Sequence, residues 1–190
     1  PTTSMGFQPD HSGTSQGAGI DIVLTRLNAD LTEIISSTFI GGTLDDWGYT
    51  VNLAPDNQVL VTGHTSSENF PITSGAYDTT FNGLSGMDTG DDVFIAVLTS
   101  DLSNLSAATY IGGTYWDCAN WIGTDTNGDI YIAGQAASEN FPVTAGAAQE
   151  IYSGGQNAWG GETFICRFNS NLSSCKASTF FGGSQDDGIG

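Results

Sequence analysis

Three aspartates follow Gly-Gly pairs at one fixed distance along the chain. Asp46, Asp117 and Asp187 each stand five residues after the first glycine of such a pair. A short acidic side chain in a loop can accept hydrogen bonds from nearby backbone N–H groups. A catalytic acid has no need to recur in every repeat, so we predict a structural role for all three. The neighbouring acids Asp45 and Asp186 leave calcium binding open as an alternative.

A second group of oxygen ligands has the spacing of a calcium loop. Asp125, Asn127 and Asp129 alternate along the chain, and calcium is a hard cation that prefers oxygen ligands. No glutamate follows at the distance that an EF-hand requires, and residues 130–134 resemble a strand. A further acidic group, beside glycines, consists of Asp88, Asp91 and Asp92. We keep calcium at Asp125, Asn127 and Asp129 as a hypothesis, expect calcium to have little effect on stability, and predict no other cofactor.

Tryptophan offers a different chemistry, because its aromatic face can stack on a sugar or pack against a protein. Trp116 and Trp159 fall in predicted loops, and loops on a rigid scaffold are where binding residues usually lie. We predict these two residues as the binding residues. Trp47 and Trp121 stand at strand entries and are predicted to lie in the core.

The sequence carries no recognisable catalytic motif. His11 and His64 have no counterpart in the other repeats, and the signatures of serine hydrolases, zinc proteases, phosphate loops and dinucleotide sites are absent. We therefore predict that the chain is not an enzyme. The alternative is a hydrolase or lyase with acids gathered at a central channel. It would require acids at non-equivalent positions that converge on one pocket.

The elements that position these residues recur along the chain. The stretch Phe39-Ile40-Gly41-Gly42 returns 71 residues later at 110–113 and 70 residues later again at 180–183. Each period contains short runs rich in Val, Ile, Phe and Tyr between turn residues, a pattern typical of strands. We count ten strands in units of four antiparallel strands, which predicts an all-β chain of β-propeller blades. A β-sandwich needs no such repeat, and a solenoid usually has a shorter one.

We expect each Gly-Gly pair to end a blade by giving the backbone conformations that a Cβ forbids. Residues 1–42 are then the second half of a blade with an N-terminal loop, 43–113 and 114–183 are complete blades, and 184–190 begin another. Propellers usually have four to eight blades, so this is an incomplete propeller. We expect the further blades to come from a longer parent chain or from copies of the chain, for which a trimeric ring is conceivable.

The charge of the chain restricts its partners. It has 21 acidic residues and 3 Lys or Arg, which gives a net charge of −18. Such a field repels phosphate backbones and anionic lipid surfaces, so we predict no nucleic-acid partner. No apolar run approaches the roughly 20 residues that a membrane-spanning helix needs, so we predict no membrane insertion.

The three cysteines, at positions 118, 166 and 175, are too few for a disulfide framework. Cys166 and Cys175 flank a predicted turn at 169–171, so a bridge between adjacent strands is one possibility. Cys175 takes the place of Leu105 and Ile34 in the other repeats, which favours a buried, unbridged thiol.

The repeats resemble the SBBP (seven-bladed β-propeller) repeat family over essentially all 190 residues. The resemblance rests on the segments 41–49, 182–188 and 141–147, and on the strand-like segments 93–98 and 164–168. The sequence departs from the family at 115–118, where the paired aspartates are reduced to one, and in its longer loops at 75–90 and 146–160. The resemblance implies a secreted or cell-surface bacterial protein, and it transfers no catalytic residue.

Together these observations predict a non-catalytic propeller segment that serves as a binding or spacer module. Its expected partners are a protein or further blades, and carbohydrate is a second class of ligand. An alternative is a component or cargo of a surface secretion or motility assembly of the type IX kind, since some proteins of the resembled family are exported by that system.

Overall fold

The computed structural model describes residues 2–13, 19–84, 90–154 and 161–188. Within these ranges the chain is all-β and has no helix, so the described residues include no helix that could span a membrane. The ten strands are β1 (Ile22–Leu27), β2 (Ile34–Ile40), β3 (Asp46–Leu53), β4 (Val59–Thr65), β5 (Asp92–Leu98), β6 (Leu105–Ile111), β7 (Asp117–Thr124), β8 (Ile130–Ala136), β9 (Glu162–Phe168) and β10 (Cys175–Phe181).

The strands form three separate antiparallel sheets. Each sheet follows chain order, as β1-β2, β3-β4-β5-β6 and β7-β8-β9-β10. We refer to these sheets, with the loops that join their strands, as the first, second and third units. The predicted all-β class and the predicted number of strands are confirmed. The sheets are open, and the described residues do not form a closed ring.

The first strands of the two four-stranded units are longer than the sequence predicts. The alternation of apolar residues in the sequence predicts strands from Tyr49 and from Trp121, whereas β3 begins at Asp46 and β7 begins at Asp117. A β-bulge lies between Gly48 and Thr50 in β3, and a second bulge occupies the equivalent place in β7. Each bulge leaves one residue without a partner, and the ladder continues beyond it to the aspartate.

Two apolar layers hold the units together. One layer joins the first and second units, and the other joins the second and third units. Each four-stranded unit contributes a pair of packed phenylalanine rings to these layers: Phe70 packs on Phe94 in the second unit, and Phe141 stacks on Phe164 in the third. Strand β5 is buried along its whole length, because it has a strand on each edge and an apolar layer on each face.

The first strands of the second and third units lie next to each other. Asn52 of β3 donates its side-chain N–H to the carbonyl oxygen of Ile122 in β7 at 3.1 Å. Thr50 donates its hydroxyl to the carbonyl oxygen of Asn120, also in β7. These contacts tie β3 directly to the backbone of the next unit.

Candidate functional site

Asp46 fastens the loop that enters the second unit. Its carboxylate accepts the N–H of Gly42 at 2.6 Å, the hydroxyl of Ser67 at 3.1 Å and the hydroxyl of Thr65. The residue is fully buried, and this burial raises its pKa to about 6 although the hydrogen bonds act in the opposite direction. The side chain therefore organises the loop backbone and is closed to solvent.

Asp117 repeats this arrangement at the entry to the third unit. It accepts the N–H of Gly113 at 2.7 Å and the hydroxyl of Ser138 at 2.8 Å. Burial is again complete and raises the pKa of Asp117 to about 8. A carboxyl with such a pKa is largely protonated at neutral pH, so it can also donate a hydrogen bond.

Asp187 has the same place in the third loop but fewer contacts. Its carboxylate accepts the N–H of Gly183 at 2.5 Å, and the residue is half-buried. Its backbone N–H binds the carbonyl oxygen of Gly161 at 2.8 Å, and its own carbonyl oxygen accepts the side-chain N–H of Gln135. Among the described residues, no serine hydroxyl binds this carboxylate.

A second repeated acid was missed by the sequence analysis. Asp21 directly precedes β1, and Asp92 and Glu162 begin the equivalent strands β5 and β9; all three acids are buried. Each accepts an N–H from the long connection that precedes it, as Asp92 does from the backbone of Asn82 at 2.8 Å. Burial raises the pKa of Asp92 to about 7. The offsets of 71 and 70 residues were the available signal.

At five of the six Gly-Gly positions glycine is required for space, which corrects the predicted reason for these pairs; the exception is Gly183, where the nearest atom to an added Cβ is 3.8 Å away. Their φ angles lie outside the positive range that favours glycine. A Cβ at Gly41 would lie 2.6 Å from a carboxylate oxygen of Asp21 and 2.8 Å from one of Asp46. The first glycine thus lets the backbone pass between the two buried acids, where no side chain fits.

The sequence Ser-Glu-Asn-Phe-Pro occurs at 67–71 and again at 138–142, and each copy completes the loop of its own unit. The Ser67 hydroxyl bridges Asp46 and the N–H of Leu44, and the side-chain oxygen of Asn69 accepts the N–H of Thr43 at 3.0 Å. The equivalent segment at 138–142 makes the same contacts with the loop at 113–117. This motif is therefore structural, and its phenylalanine belongs to the core.

Among the residues that the structure describes, one side-chain cluster has no counterpart in the other units. The rings of Trp47, Tyr49 and Trp116 surround the imidazole of His64, with ring centroids 5.4–6.5 Å from its centroid. The corresponding position in the third unit holds Gln135 in place of His64. We call these four residues the aromatic cluster. It lies where the second unit meets the third and was not predicted.

His64 is held neutral in this cluster. Its Nε2 lies 3.5 Å from Asp91, whose other carboxylate oxygen accepts the hydroxyl of Ser66 at 2.6 Å. Burial lowers the pKa of His64 to about 4, so the contact with Asp91 is not an ion pair at neutral pH. Ser66 donates to Asp91 and not to His64, and this geometry provides no activated nucleophile.

The structure places the tryptophans differently from the prediction. Trp47 and Trp121 were expected in the core, but they are 43% and 49% exposed, because they lie on first strands that are open on one side. Trp116 is half-buried beside His64. Trp159, the other predicted binding residue, lies outside the described residues, and so does Asp88.

The predicted calcium residues are engaged in other contacts. Asp125 accepts the backbone N–H groups of Asn127 and Asp129, as in an ordinary turn. The carboxylate of Asp129 pairs with Arg167 and with Lys176, each at 2.5 Å, and these contacts lower its pKa. Arg167 and Lys176 thus occupy both carboxylate oxygens of Asp129. Within the described residues, no three His, Cys, Asp or Glu side chains are grouped to hold a metal ion.

The three cysteines are free thiols. Cys118 and Cys166 are buried, and Cys175 is half-buried on the neighbouring strand. Burial raises the pKa of Cys118 to about 12, so this thiol stays protonated. The bridge that the sequence left open between Cys166 and Cys175 is not formed.

Comparison with known proteins adds no further constraint. No family model matches the chain, and no curated protein matches it either.

Proposed function

We propose that the chain is a non-catalytic β-propeller segment of the SBBP type that binds a partner through the aromatic cluster. The blade arrangement is supported by the repeated contacts between units. Consecutive units stack through apolar layers, and the first strands β3 and β7 lie side by side. Such stacking around a common axis is how propeller blades bury their faces.

The binding role rests on one observation. Large aromatic rings are exposed at the junction of the second and third units, where these residues differ from their equivalents in the other repeats. The repeated acids serve the backbone in every unit, so they are structural. The aromatic cluster occurs once, and it combines exposed Trp47 and Tyr49 with a buried, neutral histidine. Exposed aromatic rings cost solubility unless they serve recognition.

The charge of the chain defines the class of ligand. A net charge of −18 disfavours anionic partners, whereas neutral glycans and basic or neutral protein surfaces are compatible with it. A protein partner is the first class and a neutral carbohydrate is the second. We further propose that the protein acts at the cell surface or after secretion. Roles in a type IX-like surface assembly or as a propeller-based hydrolase or lyase remain alternative proposals.

The binding proposal is tested by titrating the chain with chitohexaose, cellohexaose and a lysine-rich octapeptide while tryptophan fluorescence is measured. We expect at least one probe to bind, and Trp47→Ala and Trp116→Ala to weaken its binding at least tenfold. Trp121→Ala is the matched control, because Trp121 is as exposed as Trp47 but lies outside the cluster. A spacer without a binding role would bind none of the probes, and equal losses in all three variants would contradict the assignment to the cluster.

A further inference from the structure

Two cysteines of the third unit lie on neighbouring strands and face the same apolar layer. Cys166 of β9 belongs to the layer between the second and third units, and Cys175 of β10 packs against it. Cys175 pairs with Phe168, which is two residues after Cys166 and therefore points to the same face of β9. The two thiols are thus diagonal neighbours on one face of a pair of antiparallel strands.

The surroundings of the two thiols give them different reactivity. Cys166 is completely buried, and its sulfur lies 3.2 Å from the hydroxyl oxygen of Ser178. Burial raises the pKa of Cys166, whereas a hydrogen-bonding contact from the Cys166 thiol lowers the pKa of half-buried Cys175. The thiolate is the nucleophilic form of cysteine, so Cys175 is the thiol that reacts first. Cys166 lies behind it and is placed to react second.

This pair of thiols is specific to the third unit. The equivalent residues of the second unit are Ala96 and Leu105, at an offset of 70 residues, and they carry no thiol. Leu105 is half-buried like Cys175, because both lie on the last, edge strand of their sheet. The access to Cys175 therefore comes from the position of β10 within its unit. The remaining cysteine, Cys118, is completely buried and serves as an unreactive comparison within the same chain.

We propose that Cys166 and Cys175 are an oxidisable thiol pair that a small disulfide converts into a bridge within the chain. The Cys175 thiolate attacks one sulfur of the small disulfide and forms a mixed disulfide, and one small thiolate leaves and takes up the proton that Cys175 released. Cys166 then loses its proton, and its sulfur attacks the Cys175 sulfur and expels the second small thiol. Two protein thiols are thereby oxidised to one bridge, while the small disulfide is reduced to two thiols.

The position of the pair predicts that the bridge is reversible. Diagonal neighbours on paired strands are farther apart than directly opposite residues, so the bridge requires a shift of β10. The β-bulge between Cys175 and Ala177 is where such a shift is easiest. Disulfides that distort the backbone are readily reduced, so we expect a mild thiol reagent to open this one. The inference is independent of the aromatic cluster and of the proposed function.

The test treats the whole folded chain with cystamine, a small cationic disulfide that the negative charge of the chain attracts. Free thiols are then counted, and disulfides are mapped by mass spectrometry. We expect a bridge between Cys166 and Cys175, a free thiol at Cys118, and recovery of both other thiols with dithiothreitol. Three retained thiols, modification of Cys118 at the same rate as Cys175, or a bridge between two chains would each overturn the proposal.

Three variants separate the first thiol from the second. Cys166→Ala introduces the residue that the second unit has at this place, so the variant should fold, and its reaction should stop at a mixed disulfide on Cys175. Cys175→Ala should slow the modification of Cys166 at least tenfold, because the buried thiol is then left to react alone. Cys118→Ala is the matched control and should form the bridge at the rate of the unchanged chain. Absence of the mixed disulfide in Cys166→Ala, or an unchanged rate in Cys175→Ala, would overturn the assignment of the two thiols.

Discussion

The loops that contain Asp117 and Asp187 have nearly the same sequence pattern but different environments. Asp117 is buried and binds both Gly113 and Ser138, whereas Asp187 is half-buried and binds Gly183. The loop that contains Asp117 is hydrogen-bonded to Ser138 and Asn140. Among the described residues, no equivalent serine or asparagine binds the loop that contains Asp187. The Gly-Gly loop is therefore not a self-contained turn. The stability of this loop depends on the segment that follows the second strand of the same unit.

The largest expected difference between the two loops is in how the free energy of unfolding depends on pH. Burial raises the pKa values of Asp46, Asp92 and Asp117 to about 6, 7 and 8, from 3.8. In this range the folded chain holds protons that the unfolded chain has released. The free energy of unfolding is therefore highest near pH 4 with respect to these groups, and it falls as the pH rises to about 8.

Urea unfolding between pH 5 and pH 8 measures this fall. Over that range the three groups together account for about six pKa units, so at ~1.4 kcal/mol per unit the fall is at most about 8 kcal/mol. Asp117→Asn removes one of the titrating groups and should flatten the curve. Asp187→Asn is the matched control, since it makes the same substitution in the half-buried loop, and the difference between the two slopes is the quantity of interest. Identical slopes would show that Asp117 is ionised in the folded state.

A smaller effect should come from adding one methyl group to the second glycine of each loop. A Cβ at Gly113 would lie 2.6 Å from Ser138 and Asn140, whereas the nearest atom to a Cβ at Gly183 is 3.8 Å away. We expect Gly113→Ala to lower the free energy of unfolding by about 1–3 kcal/mol through overpacking. Gly183→Ala should change it by less than ~0.5 kcal/mol. Urea unfolding measures both values, and a similar loss in the two variants would mean that the loops are equally closed.

The sequence allowed the strands to be predicted because its repeat and its alternating apolar residues are local signals. The apolar run at 92–98, for example, predicts a strand with the bounds that β5 has in the structure. The starts of β3 and β7 were predicted too late, because a bulged residue interrupts the alternation before the ladder ends. Local patterns thus define where a strand exists better than where it begins.

The candidate site was less predictable, because its residues meet only in three dimensions. His64, Trp47 and Trp116 come from β4, β3 and the loop before β7, and no spacing in the sequence relates them. Trp47 was predicted to be buried from its place at a strand entry, but it lies on β3, the edge strand of its sheet, and is 43% exposed. Asp21, Asp92 and Glu162 recur at offsets of 71 and 70 residues. A closer comparison of the repeats would therefore have identified them.

The smallest expected effect concerns a turn residue that is buried in two units and exposed in one. Leu31, Leu102 and Leu172 share a left-handed backbone, with φ of 57°, 60° and 56°. Leu102 and Leu172 are buried, and the N–H of Tyr77 binds the carbonyl oxygen of Leu172 at 2.7 Å. Leu31 is 73% exposed, so it has the same unfavourable backbone without the compensating burial.

Glycine removes the steric cost of this conformation, which is roughly 1–2 kcal/mol for an L-residue, but it loses more backbone entropy on folding, roughly 0.5–1 kcal/mol. We therefore expect Leu31→Gly to raise the free energy of unfolding by about 0.5 kcal/mol, measured by urea unfolding. The same change at Leu172 should lower it, because a buried side chain is lost. Destabilisation by Leu31→Gly would show that Leu31 is covered in solution, which would make the first unit as closed as the other two.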